Sequence, residues 1–118
     1  MAREGMKLTD FYSSSTVCAP SRSSLMTGHH SGRGYIRGNK EIKPEGQHPL
    51  PLKAVTIPEI LKQSGYVSGM FGKWGLGAPG SASDPADHFD EFFGYNCQRQ
   101  AHTFYPTHLW HNDQKVPL

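Results

Sequence analysis

The sequence lacks a long apolar run, and no part of it approaches the roughly 20 consecutive apolar residues that a membrane-spanning helix needs. Its first ten residues contain neither an apolar core nor a cleavage site of the kind found in secretory signal peptides. At 118 residues, the chain is long enough for about one domain. We therefore expect no membrane span and no signal peptide in this chain.

Cysteine is also scarce, with two residues, Cys18 and Cys97. Two cysteines make neither a disulfide framework nor the cysteine-rich ligand set of a structural zinc site, so they leave the redox compartment open. Cys97 precedes His102, His108 and His111, with four, five and two residues between successive members. Zinc sites usually have tighter pairs, so we expect no zinc here and interpret Cys97 as a buried free thiol.

The sequence has little excess charge of either sign, because its 12 Lys and Arg residues are nearly balanced by 10 Asp and Glu residues. A net charge of +2 gives no reason to expect nucleic acid as a partner. The positive excess lies in residues 1–55, which hold eight basic and four acidic residues. Within it, residues 22–53 are also rich in glycine, so we interpret them as a mobile cationic loop that favours an anion site. The alternative is a solvated surface loop.

The 13 Gly and 9 Pro residues interrupt helices and strands, so much of the chain is expected to form turns and loops. Several short helices and strands are nevertheless predicted. Thr56 and Glu59 form a capping box, and Gly28 and Gly65 are typical helix terminators. The patterns predict a weak strand over residues 7–12, helices over 20–27 and 57–64, a buried strand over 66–71, a loop over 72–85 and a packed aromatic cluster over 89–95.

These elements predict an incomplete α/β fold. One helix–strand unit with one or two further strands cannot build a parallel sheet that is covered on both faces. Residues 1–6 resemble the end of a helix with Gly5 as its terminator. We therefore expect a fragment of a larger domain.

The run Cys-Ala-Pro-Ser-Arg-Ser-Ser-Leu-Met-Thr-Gly at residues 18–28 carries the clearest chemistry. Cys18 stands at the start of the predicted helix, where free backbone N–H groups and the helix dipole favour negative charge. Arg22 lies one turn later and can point back, so a transferring sulfuryl or phosphoryl group would be stabilised there. The structural alternative is a buried Cys beside a surface Arg. The spacing of cysteine-dependent phosphatases is not met, because it would place Arg where Ser24 stands.

With its Leu-x-Thr-Gly tail, this run resembles the first signature of the sulfatases. A second run, Gly-Lys-Trp-Gly-Leu-Gly at residues 72–77, resembles their second signature, Gly-Lys-Trp-His-Leu-Gly. The likeness covers nearly the whole chain. It implies an alkaline phosphatase-like, three-layer α/β/α fold with long loops. Residues 1–118 would be a partial catalytic domain that lacks the N-terminal strand and the C-terminal half.

The resemblance implies hydrolysis of sulfate esters. In that family a maturation enzyme oxidises the signature cysteine to formylglycine, which is hydrated to a geminal diol and binds a calcium ion. One hydroxyl attacks sulfur, and the second then expels sulfate, a step that an ordinary serine could not complete. By this resemblance Cys18 is the precursor of the nucleophile and a metal ligand, Arg22 holds the diol, and Lys73 touches the sulfate. The position of Lys73, after a predicted strand and a glycine, independently favours a ligand-binding role.

One departure from the family pattern is Gly75, which stands where His is usual. The candidates for its replacement are His102 and a His outside this chain. The substrate is expected to be a sulfated small molecule or carbohydrate, with Arg37, Asn39, His102 and Tyr105 as candidate pocket residues. Family habit implies a secreted, periplasmic or lysosomal protein.

The family also uses an Asp pair near its start and a later Asp-Asn pair, together with a further His and Lys. None of these can be located here, since only Glu4 and Asp10 are acidic before Cys18, and Asn112 and Asp113 stand in the reverse order. We therefore expect the fragment alone to be inactive. The competing hypothesis is a non-catalytic binder of anions or sulfated glycans, or a vestigial sulfatase. A phosphoester hydrolase of the same fold is disfavoured, because those enzymes use Ser or Thr.

Overall fold

The computed structural model describes residues 2–118 as an α/β chain. The α/β class predicted from the sequence is confirmed. In the described residues the helices are α1 (Cys18–Thr27), α2 (Ile57–Lys62), α3 (Pro85–His88) and α4 (Gln98–Ala101). The strands are β1 (Gly69–Lys73), β2 (Glu91–Tyr95), β3 (His108–His111) and β4 (Gln114–Pro117).

The four strands form one mixed sheet in the order β1-β2-β3-β4. β1 and β2 are parallel, with Lys73 opposite Tyr95, so their carboxyl ends lie at the same edge of the sheet. β2 pairs antiparallel with β3, and β3 with β4 in a hairpin that turns at Asn112, whose φ is 51°. The parallel pair therefore presents Lys73 and the start of α4 at one end.

β1 and β2 approach each other most closely at a pair of glycines. Gly72 lies opposite Gly94, and a Cβ built on Gly94 would lie 1.9 Å from the carbonyl oxygen of Gly72. The φ of Gly72 is +108°, which side-chain-bearing residues rarely adopt. Glycine is thus required on both strands at this level of the sheet.

α2 begins as predicted but is shorter than the predicted range 57–64. Thr56 and Glu59 form the expected capping box, with the backbone N–H of Thr56 donating to Glu59 at 2.6 Å. The regular helix ends at Lys62, and Gly65, with a φ of +78°, closes the following turn. The N–H of Tyr66 then donates to the carbonyl of Leu61 at 3.2 Å, as in a helix C-terminal cap.

The strand predicted over residues 66–71 is shifted and is not buried. Pairing starts at Gly69, because the side chain of Asp90 accepts the backbone N–H of Ser68 at 2.9 Å just before the strands meet. Phe71 is 71% exposed. β1 is an edge strand of the described sheet with its Phe71 face uncovered, so the apolar run does not make it a central buried strand.

Two predictions for the N-terminal segment are wrong. Residues 7–12 are exposed and irregular, because no strand within residues 2–118 pairs with them. Residues 2–4 form a turn rather than the end of a helix, and Met1 lies outside the described residues. A weak alternation of apolar residues does not make a strand without a partner.

The core lies between the start of α1, the sheet and the long connection from α1 to α2. Its buried members are Ala19, Ile36, Leu50, Ala54, Trp74, Leu76 and Phe92. Trp74 is a packing residue, with its Nε1 donating to the carbonyl of Ser83 at 2.8 Å and its ring edge-on to Phe89. No helix in the described range 2–118 has both the length and the hydropathy of a membrane-spanning segment.

The glycine-rich, cationic connection is irregular, as predicted, but it is attached to the core. The N–H groups of Gln47 and Leu50 donate to the carbonyls of Gly77 and Leu76, each at 3.1 Å. Ile36 and Leu50 are buried. These contacts fix the path of the connection past the start of α1.

Candidate functional site

Cys18 is the first residue of α1, which begins two residues before the predicted range 20–27. Val17 before it is extended, and Pro20 occupies the first turn, where a missing N–H leaves no helical hydrogen bond unmade. The helix ends at Gly28, whose φ of 69° and N–H bond to Ser24 at 2.9 Å make a left-handed cap. The thiol thus stands at a helix N-terminus, where negative charge is favoured.

Asn39 brings an amide to this thiol from the connection after α1. Its Oδ1 accepts the backbone N–H of Ala19 at 3.0 Å, and its Nδ2 donates to the sulfur of Cys18 at 3.5 Å. Because the N–H of Ala19 can only donate, the oxygen of the amide must face it and the nitrogen must face Cys18. The sequence-based candidate Asn39 is therefore placed in contact with Cys18.

Lys73 approaches Cys18 from the sheet, where it is the last residue of β1 and half-buried. Burial alone would raise the pKa of Cys18. The hydrogen bond from Asn39 and the charge of Lys73 more than offset it, and the pKa of the thiol is lowered from its ordinary value. The carboxyl end of β1 and the N-terminus of α1 therefore meet at one point.

Arg22 lies one turn along α1 and connects the helix to the same strand end. Its Nη1 donates to the backbone oxygen of Lys73. Burial lowers the pKa of the guanidinium, and the neighbouring Cys18 raises it. Two cationic side chains and one amide nitrogen thus surround residue 18, all of them hydrogen-bond donors. Such a set suits an oxyanion or a tetrahedral anion.

Gln98, at the start of α4, is a residue that the sequence reasoning missed. Its side chain is 5% exposed, and its Nε2 donates to Oδ1 of Asn39 at 3.3 Å. Its backbone N–H donates to Oε1 of the buried Gln47 at 3.3 Å. No signal in the sequence pointed to these amides, because their contacts form only when α4 packs against the connection after α1.

The side chain of Gln98 packs against Gly75. The φ of Gly75 is +72°, and a Cβ built on it would lie 3.2 Å from Cγ and 3.4 Å from Nε2 of Gln98. A side chain at position 75 would therefore meet both backbone strain and Gln98. The departure from the usual His is accommodated by this packing.

The remaining candidate pocket residues are not in one place. Arg37 is exposed, donates to the carbonyl of Gly32 at 2.5 Å and lines a cavity of about 240 Å³ that Asn39 also lines. Tyr105 is 92% exposed and lines a different cavity, of about 380 Å³. His102 is exposed directly after α4, and its ring makes no hydrogen bond within the described part of the chain.

The histidines near Cys97 bind separate carboxylates. His108 Nε2 lies 2.9 Å from Glu45, and His111 Nε2 lies 2.7 Å from Glu91. Cys97 is buried with a free thiol, as predicted. Among residues 2–118 there is no group of three or more His, Cys, Asp or Glu placed to hold a metal ion.

The chain is similar to known proteins over most of its length. The family model described as Sulfatase matches residues 1–115. Human arylsulfatase G is 43% identical over 94 residues, which are 80% of this chain and 18% of that protein. Human arylsulfatase A is 39% identical over 97 residues, 80% of this chain and 19% of that protein. The chain therefore spans about a fifth of the length of these relatives.

Solved structures give a similar fold. The crystal structure of Ps i-CgsB superposes with a TM-score of 0.69 and 25% sequence identity. The match covers 91% of this chain and 28% of that one.

Proposed function

Because the chain belongs to the sulfatase family, we propose that the full-length protein hydrolyses sulfate esters. The observation that carries this proposal is the convergence of Arg22, Lys73 and Asn39 on Cys18 at the N-terminus of α1. Two separate motifs supply the two cations, which are 51 residues apart in sequence. The site has the charge and the donors that a sulfate group needs.

We propose that Cys18 is converted to formylglycine by a maturation enzyme, which is then a necessary partner. When hydrated, that aldehyde would supply one hydroxyl that attacks sulfur, which breaks the sulfur–oxygen ester bond and releases the alcohol of the substrate. The second hydroxyl would then lose its proton, so that the aldehyde re-forms and sulfate is expelled. The residues around Cys18 fit such a group. The Nδ2 of Asn39 lies 3.5 Å from the sulfur, and the charge of Lys73 acts on the same atom, so oxygen atoms there would meet donors.

In this proposal Lys73 and Arg22 have different tasks. The ammonium of Lys73 is a compact charge beside residue 18 and binds a sulfate oxygen, where it stabilises the negative charge that develops as the ester bond breaks. The guanidinium of Arg22 is held by the carbonyl of Lys73 and orients residue 18 from within its own helix. Both side chains are half-buried, which strengthens their interaction with an anion.

We propose calcium as the metal of the full-length protein, with residue 18, as formylglycine, among its ligands. Calcium takes about 6 to 8 oxygen ligands. The described residues 2–118 do not hold a cluster that fits this demand, so we assign no step to the metal from this chain. We propose that the other ligands come from parts of the protein outside these residues.

We propose a sulfated carbohydrate as the substrate class. Canine N-acetylgalactosamine-6-sulfatase is 38% identical over 104 residues, and the structure of Ps i-CgsB has been determined in complex with k-i-k-neocarrahexaose. Arg37 lines the same cavity as Asn39, the residue that contacts Cys18, and is therefore the better candidate for a substrate contact. Tyr105 lines a separate cavity. Sulfated glycans are met outside the cytosol, so we propose a secreted, periplasmic or lysosomal location.

The first experiment measures sulfate release from an aryl sulfate by the full-length protein and by its Cys18→Ala variant. We expect the variant to lose at least about a thousandfold in kcat, since no second group can replace the nucleophile. Cys97→Ala is the matched cysteine control, because the thiol of Cys97 faces Gln47 at 4.0 Å and not residue 18, and the variant should retain most of its activity. Peptide mass spectrometry reports whether residue 18 carries formylglycine.

Two outcomes would contradict the proposal. Activity that survives Cys18→Ala would exclude residue 18 as the nucleophile. An unmodified Cys18 in the natural protein, together with binding of sulfated glycans and no sulfate release, would favour the non-catalytic alternative.

A further inference from the structure

We infer that Gln98 is a positioning residue that holds the amide nitrogen of Asn39 toward residue 18. This inference rests on the proposed function for its kinetic consequences, but not for its geometry. It extends the site beyond the two sulfatase motifs to a residue of α4. It also gives Gly75 a role, because the absence of a side chain there makes room for Gln98.

The orientation of Asn39 follows from the donors that surround its oxygen. Oδ1 accepts from the N–H of Ala19 at 3.0 Å and from Nε2 of Gln98 at 3.3 Å. The backbone N–H of Ala19 can only donate, so a flipped Asn39 amide would place its own N–H groups against that donor, and Nε2 of Gln98 supplies a second donor to the same oxygen. The only end of the amide left for residue 18 is Nδ2, which lies 3.5 Å from the sulfur.

Asn39 needs this support because it is exposed and lies on an irregular segment. No helix or strand fixes its backbone, and its side chain is not enclosed by packing. Gln98 is the opposite case, since it is buried and belongs to α4. A rigid donor on one element therefore fixes an exposed amide on another.

Gln98 is itself held in place by two further contacts. Its backbone N–H donates to Oε1 of Gln47, which is 3% exposed, and Gln47 donates its own N–H to the carbonyl of Gly77. Its Cγ lies where a Cβ of residue 75 would approach to 3.2 Å. The segment of the second motif and the start of α4 are thus locked together next to residue 18.

The chemical consequence is a hydrogen bond to an oxygen of the matured residue 18. A donor held toward that oxygen stabilises the charge that it gains during reaction and does not contribute to binding of the sulfated substrate. Loss of the orientation should therefore lower kcat and leave KM nearly unchanged.

The test uses Gln98→Met in the matured full-length protein, because Met keeps the length and apolar stem of Gln without its donor. We expect a decrease in kcat of about tenfold, typical of one lost hydrogen bond to a charged group, with KM within about twofold. Gln100→Met is the matched control. It removes the bond from Gln100 Nε2 to the carbonyl of His108 at 2.7 Å, on the same helix, without touching Asn39, and should not change kcat.

A double-mutant cycle then tests whether Gln98 acts through Asn39. If it does, adding Gln98→Met to Asn39→Ala should produce no further decrease in kcat. Decreases that multiply would overturn the inference, as would a Gln98→Met variant with unchanged kcat. If Gln98→Met does not fold, Gln98→Leu also removes the donor without adding a charge, with the same expectations.

A structural readout separates this inference from the proposed function. A wild-type protein without sulfatase activity would contradict the function, and the geometry would then be tested in crystal structures of the unmodified protein. In Gln98→Met we expect the side chain of Asn39 to leave Cys18 or to occupy two orientations. An Asn39 that keeps its single orientation in that variant would overturn the inference.

Discussion

At the scale of single residues, the pKa of the Cys18 thiol depends on the charged and polar groups around it. Its pKa is lowered because the hydrogen bond from Asn39 and the charge of Lys73 outweigh burial. In the unmodified protein, Lys73→Met should move the pH midpoint of Cys18 alkylation upward, since the thiolate loses its cation. Iodoacetamide labelling followed by peptide mass spectrometry at a series of pH values measures this midpoint. Lys115→Met is the control, because Lys115 lies over Trp110 on the β3–β4 hairpin. An equal midpoint in Lys73→Met and the wild type would contradict the arrangement.

Some of the residues near Cys18 could be predicted from the sequence, and others could not. Cys18 and Lys73 were predictable, because a helix start and the end of a strand are recognisable positions for anion-binding groups. Asn39 was proposed only as one of four pocket residues, and the structure singles it out by its contact with Cys18. Gln98 and Gln47 carry no charge and lie in no motif, so their contacts depend on tertiary packing that sequence patterns do not encode.

At the scale of the elements, the close approach of β1 and β2 makes a sharp prediction. Gly94→Ala would place a Cβ 1.9 Å from the carbonyl oxygen of Gly72, so the parallel pair must separate. We expect the free energy of unfolding of the full-length protein to fall by about 1 to 3 kcal/mol, as for an overpacked buried site. Gly38→Ala is the control, because a Cβ there meets nothing within 4 Å and its φ is not in the left-handed region. Urea denaturation compares the two, and an equal effect would contradict the close approach.

Asp90, just before β2, makes a second prediction at this scale. Its carboxylate accepts the backbone N–H of Ser68 at 2.9 Å and lies 3.2 Å from Lys62, and these contacts hold its pKa below the ordinary value. A depressed pKa in the folded state stabilises the protein above the pKa of the unfolded state, about 3.9 for Asp, and this contribution is lost as the pH falls through the folded value.

The free energy of unfolding lost in Asp90→Asn should therefore be larger at pH 7 than at pH 3. Chemical denaturation at the two pH values measures it. Asp87→Asn, which removes a carboxylate without a side-chain hydrogen bond in the described residues, serves as the control. A difference that does not depend on pH would show that the charge of Asp90 is unimportant.

Predictions of helices and strands were correct where contacts between neighbouring residues determine the structure. They were wrong where the structure depends on contacts with residues distant in sequence. The capping box of α2 and the Gly28 terminator of α1 are local signals, and both are present. Residues 7–12 needed a partner strand, and the start of β1 depended on Asp90, which is 22 residues from Ser68. Such contacts lie beyond the range of a sequence pattern.

At the scale of the whole molecule, the chain exposes more surface than a protein of its mass usually does. Its accessible surface is 8004 Å², whereas about 6,400 Å² is typical for 13.1 kDa. Its radius of gyration is 14.6 Å, against about 13.5 Å for a compact domain of this length. Large apolar side chains are exposed on several elements, among them Phe11, Leu25, Ile60, Val67 and Phe71. Since the chain spans about a fifth of its relatives, the rest of a sulfatase domain is the expected cover.

This surface predicts how residues 1–118 behave when they are expressed alone. β1 is an edge of the described sheet, and Phe71 on it is 71% exposed, so the piece has both an unpaired strand edge and uncovered apolar area. We expect it to bind the dye ANS, to self-associate as its concentration rises and to release no sulfate from an aryl sulfate. Light scattering, dye fluorescence and the sulfate assay measure these properties, with the full-length protein as the control. A monomer that unfolds cooperatively without binding the dye would contradict the expectation, because its core would then be sufficient without the remaining layers of the domain.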